Sequence, residues 1–131
     1  MTFSRRVRET GIDLNRAVVI GSGLLDQIGV REAADIDLVV TKDLFDELAV
    51  SERFEKAFEF GSYVLKDNAT GLEVWTDWSG VGYEGLLADT VVLDEVQYVS
   101  IDYLKKWKRE KGRPKDIKDI ELINDYERKR S

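Results

Sequence analysis

The sequence predicts an α/β fold, α+β in its arrangement: a mixed β-sheet flanked by helices and closed by two C-terminal helices. Three observations carry this. Short β-branched runs alternate with amphipathic stretches through the first fifty residues. Strand and turn signals cluster in the middle. The last third holds the helix caps and the only proline. With 131 residues, 43% of them hydrophobic, the chain fits one domain, 1–131, with a real core. Charged residues make up 35% without a low-complexity run, which argues against global disorder.

The elements follow in order. SRRVRET reads as a short helix with its basic residues outside. AVVI, residues 17–20, is a β-branched run ended by glycine, hence a buried strand. From Ser22 to about Val30 a short helix fits, with Leu24, Leu25 and Ile28 on one face and Ser22 as its N-cap. DIDLVV is a second strand. Alternation puts Ile36, Leu38 and Val40 on one face and Asp35, Asp37 and Val39 on the other. KDLFDELAVSE is helical, with Leu44, Phe45 and Leu48 as its apolar stripe.

FEKAFEF and SYVLKD read as strands joined by a tight turn at Gly61, and DNATG is a further turn. GLEVWTDW predicts one strand with Glu73, Trp75 and Asp77 on a common face, and SGVGYEG a flexible loop leading to LLAD. TVVLDEVQYVS contains strand material. Ser100 caps IDYLKKWKREKG, Gly112 ends it, and Pro114 opens a last helix running to about Tyr126.

Composition excludes several chemistries. Cysteine and histidine are both absent. That removes disulfides, thiolate catalysis, the usual zinc ligand and every Ser-His or Cys-His nucleophile. Catalysis here would run on carboxylates, hydroxyls, lysines, backbone dipoles or an oxygen-bound divalent cation. No apolar stretch is long enough to span a membrane, and MTFSRRVRET lacks the core of a signal peptide, so the expected location is cytoplasmic and off the membrane.

The net charge of −6 is unevenly spread. Lys105–Arg130 holds eleven Lys/Arg against six Asp/Glu, a local +5; the preceding residues hold nine against twenty, a local −11. An acidic body with a basic tail could hold a metal beside an anionic ligand. The plain alternative is a solvated helical surface.

Two features carry candidate chemistry. Gly21, Ser22 and Gly23 follow a strand and open a helix, where free N–H groups and small side chains suit a phosphate. Gly-Ser turns are common in that position and are not specific alone. Asp35 and Asp37 share one strand face, and two carboxylates so close repel unless a cation sits between them. The alternative is an edge strand with both aspartates in water. A third carboxylate on a neighbouring strand would complete a two-metal site, with Glu73 and Asp77 as the candidates.

An apolar residue, Gly and Ser (Ile20, Gly21, Ser22), a gap, and then Asp35, Ile36, Asp37 and Leu38 together resemble the signature of the polymerase-β-like nucleotidyltransferase superfamily in its minimal forms. GLEVWTDWSGVGYEGL is similar to the third-carboxylate strand and its loop, in a register that selects Glu73 over Asp77. VSIDYLKKWKREKGRPKDIKDIELI resembles the closing two-helix segment, including that of abortive-infection toxins. With gaps, the likeness runs from about Val18 to Ile123.

The resemblance implies the nucleotidyltransferase fold and transfer of a nucleoside monophosphate from a nucleoside triphosphate such as ATP to a hydroxyl, with release of pyrophosphate. It implies magnesium or manganese held by Asp35, Asp37 and Glu73, with Glu73 helping to activate the acceptor. Gly21, Ser22 and Gly23 would bind the nucleotide phosphates, joined by Arg31 and Lys108. Arg31 could instead pair with Glu32 or Asp35, and Lys108 could be a solvated helix lysine. Arg113, Lys115 and Asp116 would tie the final helices together. Ala33 and Ala34 stand where relatives often have polar residues, and Glu73 where aspartate is commoner. Trp75 and Trp78 could stack on a base or serve the core.

The acceptor could be a small molecule, a protein side chain or an RNA end, and a homodimer or a toxin–antitoxin partner could complete its pocket. The alternative is a non-catalytic nucleotide-binding or antitoxin-like interaction module of the same fold. A pI near 4.8 argues against a general nucleic-acid binder.

Overall fold

The computed structural model describes residues 2–130. In chain order the first elements are α1 (Phe3–Glu9), a 3-10 turn (Leu14–Arg16), β1 (Ala17–Val19), α2 (Gly23–Gln27), β2 (Ile36–Val40), α3 (Lys42–Ala49), β3 (Glu55–Glu59) and β4 (Ser62–Asp67). Then come β5 (Leu72–Trp75), β6 (Asp77–Trp78), β7 (Val81–Gly82), α4 (Tyr83–Leu87), β8 (Thr90–Leu93), β9 (Val96–Val99), α5 (Ile101–Lys111) and α6 (Pro114–Arg130).

Seven strands form one sheet in the order β3-β4-β5-β2-β1-β9-β8, while β6 and β7 pair as a separate ribbon. The sheet is mixed. β2 runs parallel to β5, and β1 runs parallel to β9; the other neighbours are antiparallel. The expected mixed sheet with two C-terminal helices is thus present. Among the described residues no helix is long and apolar enough to cross a membrane.

The predicted strand alternation decides how the layers pack. Ile36, Leu38 and Val40 of β2 join Leu65, Leu72 and Val74 in the larger core, which α1, α2 and α3 cover through Phe3, Val7, Leu24, Leu25, Leu44 and Phe45. Val39 faces the other way, into a smaller cluster with Val18, Ile20, Leu86 and Val99. Each fully buried aliphatic side chain contributes roughly 1.5–3 kcal/mol. Asp37 lies on the Val39 side, where the second cluster gives way to a cavity.

Three helices start as the sequence dictates. Thr2, Thr41 and Ser100 accept from the backbone N–H of Arg5, Leu44 and Tyr103 at 3.1, 3.2 and 3.1 Å, each cap contributing about 1 kcal/mol. Gly112 ends α5 in the left-handed region at φ 62°.

Four expectations change. Ser22 makes no capping hydrogen bond, and α2 ends at Gln27 rather than near Val30; Arg31 has taken the Ser22 hydroxyl. GLEVWTDW breaks at Thr76, so Asp77 belongs to the β6–β7 hairpin and not to the main sheet. The reason is a tight turn in which Ser79 and Gly80 both have positive φ, at 52° and 84°. The expected flexible loop SGVGYEG is therefore β7 and the start of α4. Finally, α6 continues to Arg130, one turn past Tyr126.

Candidate functional site

A cavity of about 540 Å³ opens where β1, β2 and β5 meet α5 and α6. Of the residues singled out in the sequence, it is lined by Gly21, Ser22, Arg31, Asp35, Asp37 and Glu73, together with Asp77 and Lys108. Gly23 is not on its wall. A Cβ there would lie 2.4 Å from Val19 Cγ1 and 2.7 Å from Phe3 Cε2. At Gly23 the core leaves no room for a side chain.

The acidic wall follows from strand register. The parallel pairing of β2 with β5 sets Asp37 directly beside Glu73. Asp35 stands just before β2 on the same side. Gly21 sits against Asp37: it adopts φ 67°, and a Cβ there would come 3.3 Å from Asp37 Oδ2. The left-handed conformation favours glycine, and a side chain would also press on the Asp37 carboxylate.

These carboxylates disturb one another. Burial, then Glu73 and Asp35, push the Asp37 carboxyl up to about 7, against the opposing pull of Trp75 and Lys66. Burial also raises Glu73, helped by Asp35 and Glu59 and opposed by Lys66. Lys66, paired with Glu59 at 2.6 Å, offsets these shifts without cancelling them. The donors are all oxygen, the chemistry of a hard divalent cation. Among the described residues, however, no group of three or more His, Cys, Asp or Glu side chains is arranged to hold a metal ion.

A second part of the lining is built by charge pairing between the last two helices. Lys108 is only 4% exposed, far from the solvated lysine its helix suggests. Its ammonium lies 2.8 Å from Asp119 and 3.8 Å from Asp116. Arg31 pairs neither with Asp35 nor with the Glu32 carboxylate. It forks onto Asp119 at 2.7 and 2.9 Å, donates to Ser22 Oγ at 2.6 Å, and bonds the Glu32 carbonyl at 2.9 Å. Arg113 holds Asp116 with its side chain at 2.6 and 3.1 Å and its backbone N–H at 3.2 Å. That joins the α5–α6 turn as expected, without Lys115, which makes no such contact. Burial pushes Asp116 and Asp119 upward, but these cations outweigh it and hold both below the usual carboxylate range.

Aromatic side chains complete the rim. Trp75 faces Phe60 at 6.4 Å, and Phe60 is 92% exposed at the β3–β4 turn. Trp78 packs on Trp107 at 4.5 Å, and the Trp107 indole N–H donates to Ser79 Oγ at 3.0 Å. Trp78 also touches both apolar clusters, so it serves the core.

Sequence reasoning missed Asp119, Trp107 and Phe60. Asp119 had a signal: with Asp116 and Ile123 it occupies one stripe of α6, where two carboxylates at buried spacing require cationic partners. Phe60 had none, because its exposure depends on the hairpin turn. No family model, curated protein or solved structure matches this chain.

Proposed function

We propose that this cavity binds a nucleoside triphosphate with magnesium or manganese and transfers the nucleotidyl group to a hydroxyl acceptor, releasing pyrophosphate. The carrying observation is that one cavity is lined both by Asp37, in register with Glu73 and flanked by Asp35, and by Lys108 and Arg31. In the reaction the acceptor oxygen bonds to the α-phosphorus, the bond to the pyrophosphate oxygen breaks, and the acceptor loses its proton. Asp35, Asp37 and Glu73 would hold the divalent cation, which supplies charge neutralisation at the transferring phosphate. Glu73, beside that cation, would help activate the acceptor hydroxyl, whose proton passes to solvent. Arg31 and Lys108 bind the departing phosphates, and Gly21 leaves room for them beside Asp37.

A second reading has its own support. The absence of a ready metal-holding group among the described residues favours a module that binds a nucleotide and does nothing further to it. Calorimetry with ATP, GTP, CTP and UTP plus magnesium, paired with a pyrophosphate-release assay over small-molecule, protein and RNA acceptors, separates the two. Transfer requires release that disappears in Asp37→Ala with an unchanged circular dichroism spectrum. Release that survives this substitution refutes the assignment, and binding without release supports the second reading.

A further inference from the structure

Asp119 joins the two cations of the phosphate side. Its Oδ1 accepts from Arg31 Nε at 2.7 Å; its Oδ2 accepts from Arg31 Nη2 at 2.9 Å and from Lys108 Nζ at 2.8 Å. The same Arg31 Nη2 donates to Ser22 Oγ at 2.6 Å. One carboxylate, 6% exposed, thus links the glycine turn, the segment before β2, α5 and α6. Arg31 is the loose member, with 36% of its side chain exposed. A free arginine loses rotamer freedom when a ligand orders it. Here Asp119 has already ordered it.

The hydrogen bonds leave donors over. Of five Arg31 N–H groups, two go to Asp119, one to Ser22 and one to the Glu32 carbonyl. Of the three on Lys108, one goes to Asp119. We infer that Asp119 is a positioning residue for the anion half of the cavity: it fixes the Arg31 fork against Ser22 and the Lys108 ammonium beside it, so that a phosphoryl group meets donors already in place. This rests on the proposed binding of a polyphosphate there.

Simple charge counting predicts the opposite sign, which makes the inference testable. Removing a negative charge from the wall should tighten anion binding if Asp119 does no more than repel. If it positions Arg31, Asp119→Asn should weaken binding. The probe is inorganic pyrophosphate with magnesium, followed by calorimetry. Positioning predicts roughly tenfold weaker binding in Asp119→Asn, the scale of one charge-assisted hydrogen bond. It also predicts a smaller loss when Asp119→Asn is added to Arg31→Ala, where only the Lys108 contact remains to be removed, and loss of a sharp, slowly exchanging Arg31 Nε–H NMR signal.

Unchanged or tighter binding by Asp119→Asn overturns the inference. Equal losses with and without Arg31 overturn the route through Arg31. Should Asp119→Asn not fold, Arg31→Lys serves instead: it keeps the charge but loses the fork, and wild-type affinity in that variant likewise overturns the inference. A wild type that shows the ordered Arg31 signal yet binds no pyrophosphate refutes the polyphosphate reading itself.

Discussion

Replacing Asp37 with asparagine should stabilise the protein above neutral pH. Asp37 titrates near 3.8 in the unfolded chain and about 7 in the folded one, because burial and the neighbouring Glu73 and Asp35 disfavour its charged form. Between those values the folded chain binds more protons than the unfolded chain, so wild-type stability falls as pH rises through the window and then levels off. A shift of roughly three units at about 1.4 kcal/mol each sets a ceiling of roughly 4 kcal/mol. Asparagine keeps the shape and has no charge to bury.

The variant should therefore match the wild type at about pH 4 and pull ahead progressively to about pH 7.5. At roughly 4 °C per kcal/mol for a chain of this size, the full effect is a Tm increase on the order of 15 °C. Urea unfolding across the pH range reads it directly. Magnesium should stabilise the wild type at pH 8 by mass action and leave Asp37→Asn unmoved. A difference that does not vary with pH, or a variant less stable than the wild type at pH 8, refutes the reasoning.

Two further outcomes follow from packing and pairing. Gly23→Ala forces a methyl group to within 2.4 Å of Val19 Cγ1 and should cost about 1–3 kcal/mol, seen as a lower urea midpoint, with pyrophosphate affinity per folded molecule unchanged. Lys108→Met removes a buried ammonium while Arg31 still holds Asp119 and Arg113 still holds Asp116. It should cost less than the roughly 3–5 kcal/mol of a fully stranded buried charge, and it should weaken magnesium-pyrophosphate binding in calorimetry.

Much of the fold was legible because each element announces itself locally. The alternation in DIDLVV fixes which side chains enter the core, and Thr41, Ser100 and Gly112 mark helix ends through bonds within a few residues. The paired aspartates were legible for the same reason: once Ile36, Leu38 and Val40 are buried, Asp35 and Asp37 have one face left. The placement of Glu73 beside Asp37 was an expectation that only strand pairing could satisfy, and the parallel register of β2 and β5 satisfies it. What stayed hidden depends on distant partners. Arg31 reaches Asp119, 88 residues away, and no local pattern encodes that choice. Ser22 looked like a cap because its sequence neighbourhood is that of a cap; a tertiary donor won its oxygen. The break at Thr76 followed from a turn whose positive φ at Ser79 a non-glycine residue seldom adopts.

The uneven charge of the chain acquires a structural meaning at the cavity. The acidic body contributes Asp35, Asp37 and Glu73 from the sheet side; the basic tail contributes Lys108 from α5 and Arg113 from the turn that follows it. The tail is not a solvated surface throughout, since Lys108 is buried and paired. Nor are the two walls neutralised by each other: Arg31, Lys108 and Arg113 pair with Asp116 and Asp119 of α6, while burial and the neighbouring Glu73 and Asp35 raise Asp37 to about 7. A simple anion would match one wall and aggravate the other. A lone cation would relieve the carboxylates and leave the donors on Arg31 and Lys108 unused. A ligand that carries its own cation on a polyphosphate answers both walls at once, so pyrophosphate and magnesium should each bind more tightly in the presence of the other.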